Sequence, residues 1–438
     1  MFHAEFKSIS GSDKYPLSQV VYRGKDGSLL EVSHNRDAWK TRSPEEWKNL
    51  FTNRRVSFAP ADLSGVWSKR ELVLPELPTQ DIVTLQEGFT PLFNAQKLAQ
   101  EIKVKSLHVK LCGNSHTGSF KDLGMTVLVS QVNHLIKNKI KIKAVACAST
   151  GDTSAALSAY CARAGIPSIV FLPAGKISVA QLVQPISNGS LVLALDTDFD
   201  GCMKIVQEVT ADKSIYLANS MNSLRIEGQK TISYELCQEL GWQLPDVLII
   251  PGGNLGNVSA LAKGIDDLLE LGLISKKPRI IVAQAENANP FYQAYKRDFN
   301  KLEPIQAKKT LASAIQIGNP VSYPKAEQAI KNYNGIVEQV SEQELSDAAH
   351  RADKTGLYSC PHTGVALGAL FKLREKSIIS SEESVVVIST AHGLKFSEFK
   401  AGYHEQKLEG ISPKYANAIH WLPANANAVQ DAISNYAP

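Results

Sequence analysis

The stretch Ser115-His116-Thr117-Gly118-Ser119-Phe120-Lys121-Asp122 decides the fold, because it joins a strand to a helix and puts an amine at the joint. Upstream, Leu107-His108-Val109-Lys110-Leu111 alternates as a strand does, and Gly113-Asn114-Ser115 breaks it with turn residues. Downstream, Met125, Val127, Leu128, Val132, Leu135 and Ile136 recur at helical spacing, with Gly118 and Ser119 at the N-terminal end. Lys121 therefore falls in the first helical turn, where free N–H groups and the positive end of the helix dipole disfavour a second positive charge. A lysine held there with a lowered pKa is a nucleophilic amine, able to form a Schiff base with a carbonyl cofactor. Taken alone, Ser-Phe-Lys is the sequence of an ordinary surface lysine, and only partner motifs reverse that reading.

Outward from this joint the chain alternates strand and helix. Residues 142–147, 168–172, 191–195, 215–217, 247–250, 279–283 and 384–388 read as strands, and 154–164, 177–187, the run after Phe199 and 229–240 as helices. Val247-Leu248-Ile249-Ile250 and Ser384-Val385-Val386-Val387-Ile388 are near-continuous apolar runs, as strands buried on both faces are. The fold class is α/β, with parallel sheets covered by helices. Residues 1–94 are turn-rich and carry Trp39, Trp47 and Trp67 as packing anchors. They read as an N-terminal extension leaning on the core, with a short strand hairpin across 22–32. Residues 401–438 are polar and broken, a C-terminal arm.

Composition narrows the class. The chain has 438 residues, 44% hydrophobic and 21% charged, enough for sizeable cores in a soluble protein. The net charge is only +4, with no long basic run, so nucleic acid is not an expected partner. The six cysteines, at 112, 147, 161, 202, 237 and 360, form no Cys-x-x-Cys pair and read as buried reduced thiols. No apolar segment reaches membrane-spanning length, and the first residues have no targeting character. A reducing cytoplasm is the expected setting, without a membrane partner.

Three further motifs follow strands and open helices. Ala148-Ser149-Thr150-Gly151-Asp152-Thr153-Ser154 offers four hydroxyls and exposed N–H groups, either an anion site or an ordinary helix cap. Pro251-Gly252-Gly253-Asn254-Leu255-Gly256-Asn257 lets the backbone approach a phosphate at the carboxyl edge of a parallel sheet. It lacks the Gly-Lys-Ser/Thr of a nucleotide P-loop, which disfavours ATP. Asn219-Ser220-Met221-Asn222-Ser223-Leu224-Arg225 brings amides, hydroxyls and an arginine suited to a bidentate grip on phosphate or carboxylate. Ser389-Thr390-Ala391-His392-Gly393 ends the last apolar strand and turns the Thr390 hydroxyl toward the same edge. His116, His362 and His392 have no metal-ligand spacing, so no metal is expected.

Together, 116–122, 149–153, 252–257 and 389–393 resemble threonine synthase of the plant type, within the tryptophan-synthase-β-like pyridoxal-phosphate enzymes. The resemblance runs from about Trp67 to Lys400 and includes Ile166-Pro167-Ser168-Ile169-Val170-Phe171-Leu172-Pro173 and Pro361-His362-Thr363-Gly364-Val365-Ala366-Leu367. It implies two subdomains, a large cofactor-binding domain of 95–138 plus 226–400 and a small substrate domain of 139–225, and a homodimer. It also implies that Lys121 forms the Schiff base with pyridoxal phosphate and later shuttles protons, with Phe120 and Asp152 beside the cofactor. Gly252, Gly253, Asn254, Leu255, Gly256 and Asn257 would hold the cofactor phosphate, and Thr390 would face the pyridine nitrogen. Ser149, Thr150 and Thr153 would take the substrate α-carboxylate, and Asn219, Ser220 and Arg225 its phosphate. Many relatives have Asn where this chain has Asp152, and a carboxylate beside the cofactor's phenolic oxygen would repel it unless one is protonated.

The implied reaction converts O-phospho-L-homoserine and water to L-threonine and phosphate. It seats two phosphates and a carboxylate close together, and three anion-ready motifs match that count. The alternatives are a phospho-lyase or serine/threonine dehydratase of the same fold, or a non-catalytic sensor that keeps the cup. Plant enzymes of the family are switched on by S-adenosylmethionine, and their segment aligned with 87–93 is Asn-rich. Here it reads Glu-Gly-Phe-Thr-Pro-Leu-Phe, and the expectation is no activation by that effector.

Overall fold

A computed structural model describes residues 1–149, 151–174, 179–197 and 199–436. The first strands are β1 (Ala4–Ser8), β2 (Lys14–Pro16) and β3 (Leu30–His34), paired antiparallel in the order β2-β1-β3. Every second residue of β1 is buried, as in a sheet with one face on a core. The hairpin expected across 22–32 is instead a tight loop bridged only at Arg23 and Leu29. Gly24 N–H donates to Ser28 O at 3.0 Å, and Gly27 has φ +79. That turn uses up the residues a ladder would need, and β3 pairs with the distant β1. Trp39, Trp47 and Trp67 are buried as expected, with 2%, 0% and 0% exposure.

Among the described residues ten strands follow: β4 (Leu92–Asn94), β5 (Ser106–Leu111), β6 (Ala144–Ala148), β7 (Ser168–Pro173), β8 (Leu191–Leu195), β9 (Ile215–Leu217), β10 (Val247–Pro251), β11 (Arg279–Ala285), β12 (Ile336–Val340) and β13 (Ser384–Ser389). Six form one sheet in the order β12-β11-β10-β13-β5-β4, parallel except for β4. Four form a second, all-parallel sheet in the order β8-β7-β6-β9. In β10 all five residues are buried, and in β13 all but the first, which accounts for their unbroken apolar sequence.

Register sets where chemistry can happen. Ile249 pairs with Val387, and Ser389 with Leu111, so β10, β13 and β5 end level with one another. Ligands bind outside the carboxyl ends of such strands, and the three loops leaving this edge carry the lysine, the glycine cup and Thr390. The helix Lys121–Lys137 packs against the helix Leu224–Gln229 at two glycines. A Cβ on Gly228 would stand 1.6 Å from Leu123 O, and one on Gly124 2.9 Å from Arg225 O. Backbone-to-backbone contact there brings Arg225 beside Lys121.

The expected helix at 177–187 is present as Val179–Ser187, with 177 and 178 outside the described residues. The C-terminal arm is more regular than its sequence indicates. It receives the end of the helix Ser397–His404 and holds a second helix, Ala426–Tyr436, with no buried residue. No helix among the described residues is long and apolar enough to cross a membrane.

Candidate active site

Lys121 is the first residue of its helix, as the turn residues before it dictate. The loop that delivers it is braced from within by Asp122. This carboxylate accepts from Ser115 Oγ at 2.7 Å, Thr117 N at 2.8 Å and Thr117 Oγ1 at 2.5 Å. The loop is also woven into the one after β13. Phe120 N–H donates to Thr390 O at 2.9 Å, and His392 N–H to Gly118 O at 2.9 Å. A Cβ on Gly113 would stand 2.2 Å from His392 N, so only glycine permits this crossing.

The Lys121 amine lies 4.1 Å from the centre of the Phe120 ring and is paired with no carboxylate among the described residues. Burial and the nearby Arg225 guanidinium push its pKa down to about 7, against the raising effect of Asp152. Burial is the larger cause and the arginine the second, where the sequence pointed to the end of the helix.

The glycine cup has the form of an anion site. Leu255 sits in the left-handed region, φ 65, immediately before the helix Gly256–Glu270. Gly252 N–H donates to Ala283 O at 2.8 Å, and Asn257 Nδ2 to Pro251 O at 2.7 Å, which fixes both ends of the loop. The amides of Gly253, Asn254, Leu255, Gly256 and Asn257 have no acceptor among the described residues. Gly253 presses on Ile315, whose Cα would be 2.9 Å from an added Cβ, so the loop passes where a side chain has no room.

Thr390 is 5% exposed, and its hydroxyl lies 4.0 Å from Cys360 Sγ. Cys360 Sγ is 3.1 Å from Thr363 Oγ1, which is 2.9 Å from Ser389 Oγ, a thiol and hydroxyl cluster beneath the edge. Burial pushes the Cys360 thiol up, but His362 and the Thr363 hydrogen bonds outweigh it and bring the thiol down to about 7. His362 is buried, its Nε2 accepting from Ala314 N at 3.0 Å, whereas His116 is exposed.

The small sheet supplies the other wall. Arg225 is 3% exposed, donates to Ala218 O at 3.1 Å and to Thr153 Oγ1 at 3.2 Å, and its buried Nε has no partner among the described residues. No carboxylate among the described residues pairs with it, and burial lowers its pKa to about 10. A buried guanidinium without a counter-ion is costly, and an anionic ligand is the group that relieves it. Asn219 is committed to backbone: Oδ1 accepts from Ala148 N at 3.1 Å and Nδ2 donates to Ala148 O at 3.1 Å. Ser149 and Ser220 are half-buried, and Thr150 lies outside the described residues.

Asp152 is 7% exposed, and Lys395 Nζ lies 2.9 Å from its Oδ1. Lys395 was not singled out from the sequence. A carboxylate inside an anion cup calls for a cation, and Lys395, five residues beyond Thr390, was the signal available. The pairing of Gly124 with Gly228 was equally silent, since a glycine inside a helix reads as a weakness rather than a contact.

Residues 83–391 match the family described as pyridoxal-phosphate dependent enzymes. Over 429 residues, 98% of this chain and 83% of the relative, the sequence is 53% identical to the protein named threonine synthase 2, chloroplastic, of Arabidopsis thaliana. The chain belongs to the threonine synthases. The threonine synthase of Methanocaldococcus jannaschii is 39% identical over 390 residues, 89% of this chain and 92% of that one. The crystal structure of Escherichia coli threonine synthase superposes with a TM-score of 0.65 at 19% identity, covering 99% of this chain and 100% of that one, which shows the shared fold. The enzymes of this family depend on pyridoxal phosphate, and the residues present fit it: a lysine of lowered pKa, five amides without acceptors among the described residues, and a buried hydroxyl just past the end of β13.

Proposed function

We propose that the protein converts O-phospho-L-homoserine and water into L-threonine and phosphate. The observation that carries this reading is Arg225, a buried guanidinium with, among the described residues, no partner for its Nε and no acid paired with it, standing next to Thr153 and across from Lys121. Pyridoxal phosphate, when bound, would supply an electron sink for charge developing on the substrate's carbon skeleton.

In this reading Lys121 Nζ would hold the cofactor and would move protons at the substrate's Cα, Cβ and Cγ. Its lowered pKa keeps it able to accept a proton near neutral pH. The amides of Gly253 to Asn257 would hold the cofactor phosphate, with Gly252 giving the loop room, and the Thr390 hydroxyl would be the group for the pyridine nitrogen. Ser149, Thr150 and Thr153 receive the α-carboxylate, and Ser220 and Arg225 the γ-phosphate. Asn219 serves by holding the end of β6 beside them. The Cα proton is removed and later returned; Cβ gives up a proton as the Cγ–O bond breaks and phosphate leaves, Cγ takes up a proton to become the methyl of threonine, and water adds its hydroxyl at Cβ while its other proton goes to the released phosphate.

The small sheet, residues 139–225, acts as the substrate domain against a cofactor domain of 95–138 plus 226–400, and the enzyme works as a homodimer. The buried thiols at 112, 147, 161, 237 and 360 suit a reducing compartment. The cytoplasm is the reading taken from the sequence, beside the chloroplast in the name of the Arabidopsis relative. The test is turnover of O-phosphohomoserine with phosphate and threonine followed separately. Equal release of both, abolished by Lys121→Ala, is expected. Phosphate with a keto acid in place of threonine would instead select a lyase.

A further inference from the structure

Asp152 sets a negative charge among groups arranged to receive anions, and Lys395 answers it. Lys395 Nζ lies 2.9 Å from Asp152 Oδ1, donates to Thr117 O at 2.9 Å and donates to Gln184 Oε1 at 3.1 Å. Gln184 Nε2 also donates to Thr117 O, at 3.2 Å. The three partners belong to three segments: the helix Asp152–Ala164, the helix Val179–Ser187, and the loop that delivers Lys121. The aliphatic stem of Lys395 lies along Gly118, which has φ +79 and where a Cβ would stand 2.9 Å from Lys395 Cδ. The loop is thus shaped around this side chain. Exposed ion pairs contribute little, but here the carboxylate is 7% and the amine 19% exposed.

We propose that Lys395 is a positioning residue: its ammonium cancels the Asp152 carboxylate and pins the start of the helix Asp152–Ala164, with Thr153 in its first turn, to the Lys121 loop, keeping that helix end receptive to an anionic substrate. The identity of that substrate rests on the proposed function; the charge balance does not. The same cancellation reaches Lys121, which feels Arg225 and Asp152 as its charged neighbours. Asp152 faces Lys395, and Lys395 otherwise faces only the neutral Gln184 amide and Thr117 carbonyl among the described residues. With Lys395 uncharged, Asp152 acts unopposed: it repels the incoming carboxylate and raises the Lys121 midpoint.

The variants are Lys395→Met, Lys395→Arg and the double variant Asp152→Asn/Lys395→Met. One readout is the pH midpoint for labelling of the Lys121 peptide by trinitrobenzenesulfonate in cofactor-free protein, which needs neither substrate nor turnover. The other is KM against kcat for O-phosphohomoserine. Lys395→Met should raise the midpoint by about half a pH unit or more and KM by about tenfold, with kcat changed less. The double variant should return both toward wild type, and Lys395→Arg should keep most of the wild-type KM. A purely structural brace would gain nothing from the second substitution. An unchanged midpoint in Lys395→Met, or a double variant no closer to wild type than the single one, overturns the proposal. Wild-type enzyme that forms no threonine would refute the proposed function, and the labelling result would still decide the role of Lys395.

Discussion

Replacing Arg225 with methionine separates what the guanidinium does for the fold from what it does for the substrate. In the folded protein it donates to two neutral oxygens, Ala218 O and Thr153 Oγ1, leaves Nε unsatisfied and meets no carboxylate among the described residues. Burying that charge is unfavourable, so a methionine of similar length should leave stability within about 1 kcal/mol of wild type, or raise it. The substrate complex behaves oppositely. Two charge-assisted hydrogen bonds to a phosphate are worth about 1.5–3 kcal/mol each, so kcat/KM should fall by about two to four orders of magnitude. A second sign accompanies the first: Arg225 lowers the Lys121 pKa, so its removal should raise the Lys121 labelling midpoint. Denaturant unfolding, steady-state turnover and peptide labelling on one preparation give all three numbers. A variant within threefold of wild-type kcat/KM, or one that loses several kcal/mol of stability, would refute the reasoning.

Other predictions concern the lysine, its packing and its regulation. In cofactor-free protein Lys121 should be labelled with a midpoint near pH 7 and not near its ordinary value of 10.5. Because the folded-state pKa is the lower one, the unfolded chain binds the extra proton between those values, and this group's contribution to stability grows as pH rises across that window; a midpoint above 9 would contradict the burial argument. Gly228→Ala puts a Cβ 1.6 Å from Leu123 O and should cost about 3 kcal/mol or more in urea unfolding; a loss below 1 kcal/mol would show that the helices can part freely. Saturating S-adenosylmethionine should leave the rate unchanged, and a several-fold activation would overturn the reading of Glu87 to Phe93.

The sequence carried the fold wherever a pattern was local. Strands such as Val247–Pro251 are apolar throughout because both faces are covered, and a parallel α/β sheet follows from that. Loops that leave strands at the carboxyl edge were legible as sites because glycine, asparagine and hydroxyl residues mark them. The remainder depends on residues far apart in the chain. The hairpin expected at 22–32 failed because the partner of β3 is β1, and nothing near residue 30 announces a strand at residue 4. The amide of Asn219 suits a ligand in the sequence, yet the structure gives it to Ala148, seventy-one residues upstream. Lys395 escaped notice for the same reason: its meaning lies in Asp152, Gln184 and Thr117, each on a different segment.

The proposed reaction turns on one chemical event, loss of phosphate by Cγ–O cleavage followed by addition of water at Cβ. Turnover of O-phosphohomoserine in ¹⁸O-labelled water reads it directly by mass spectrometry of both products. The label should appear in the threonine hydroxyl, with all four phosphate oxygens coming from the substrate, and neither product should form with Lys121→Ala. Label in the phosphate, or none in threonine, would contradict it.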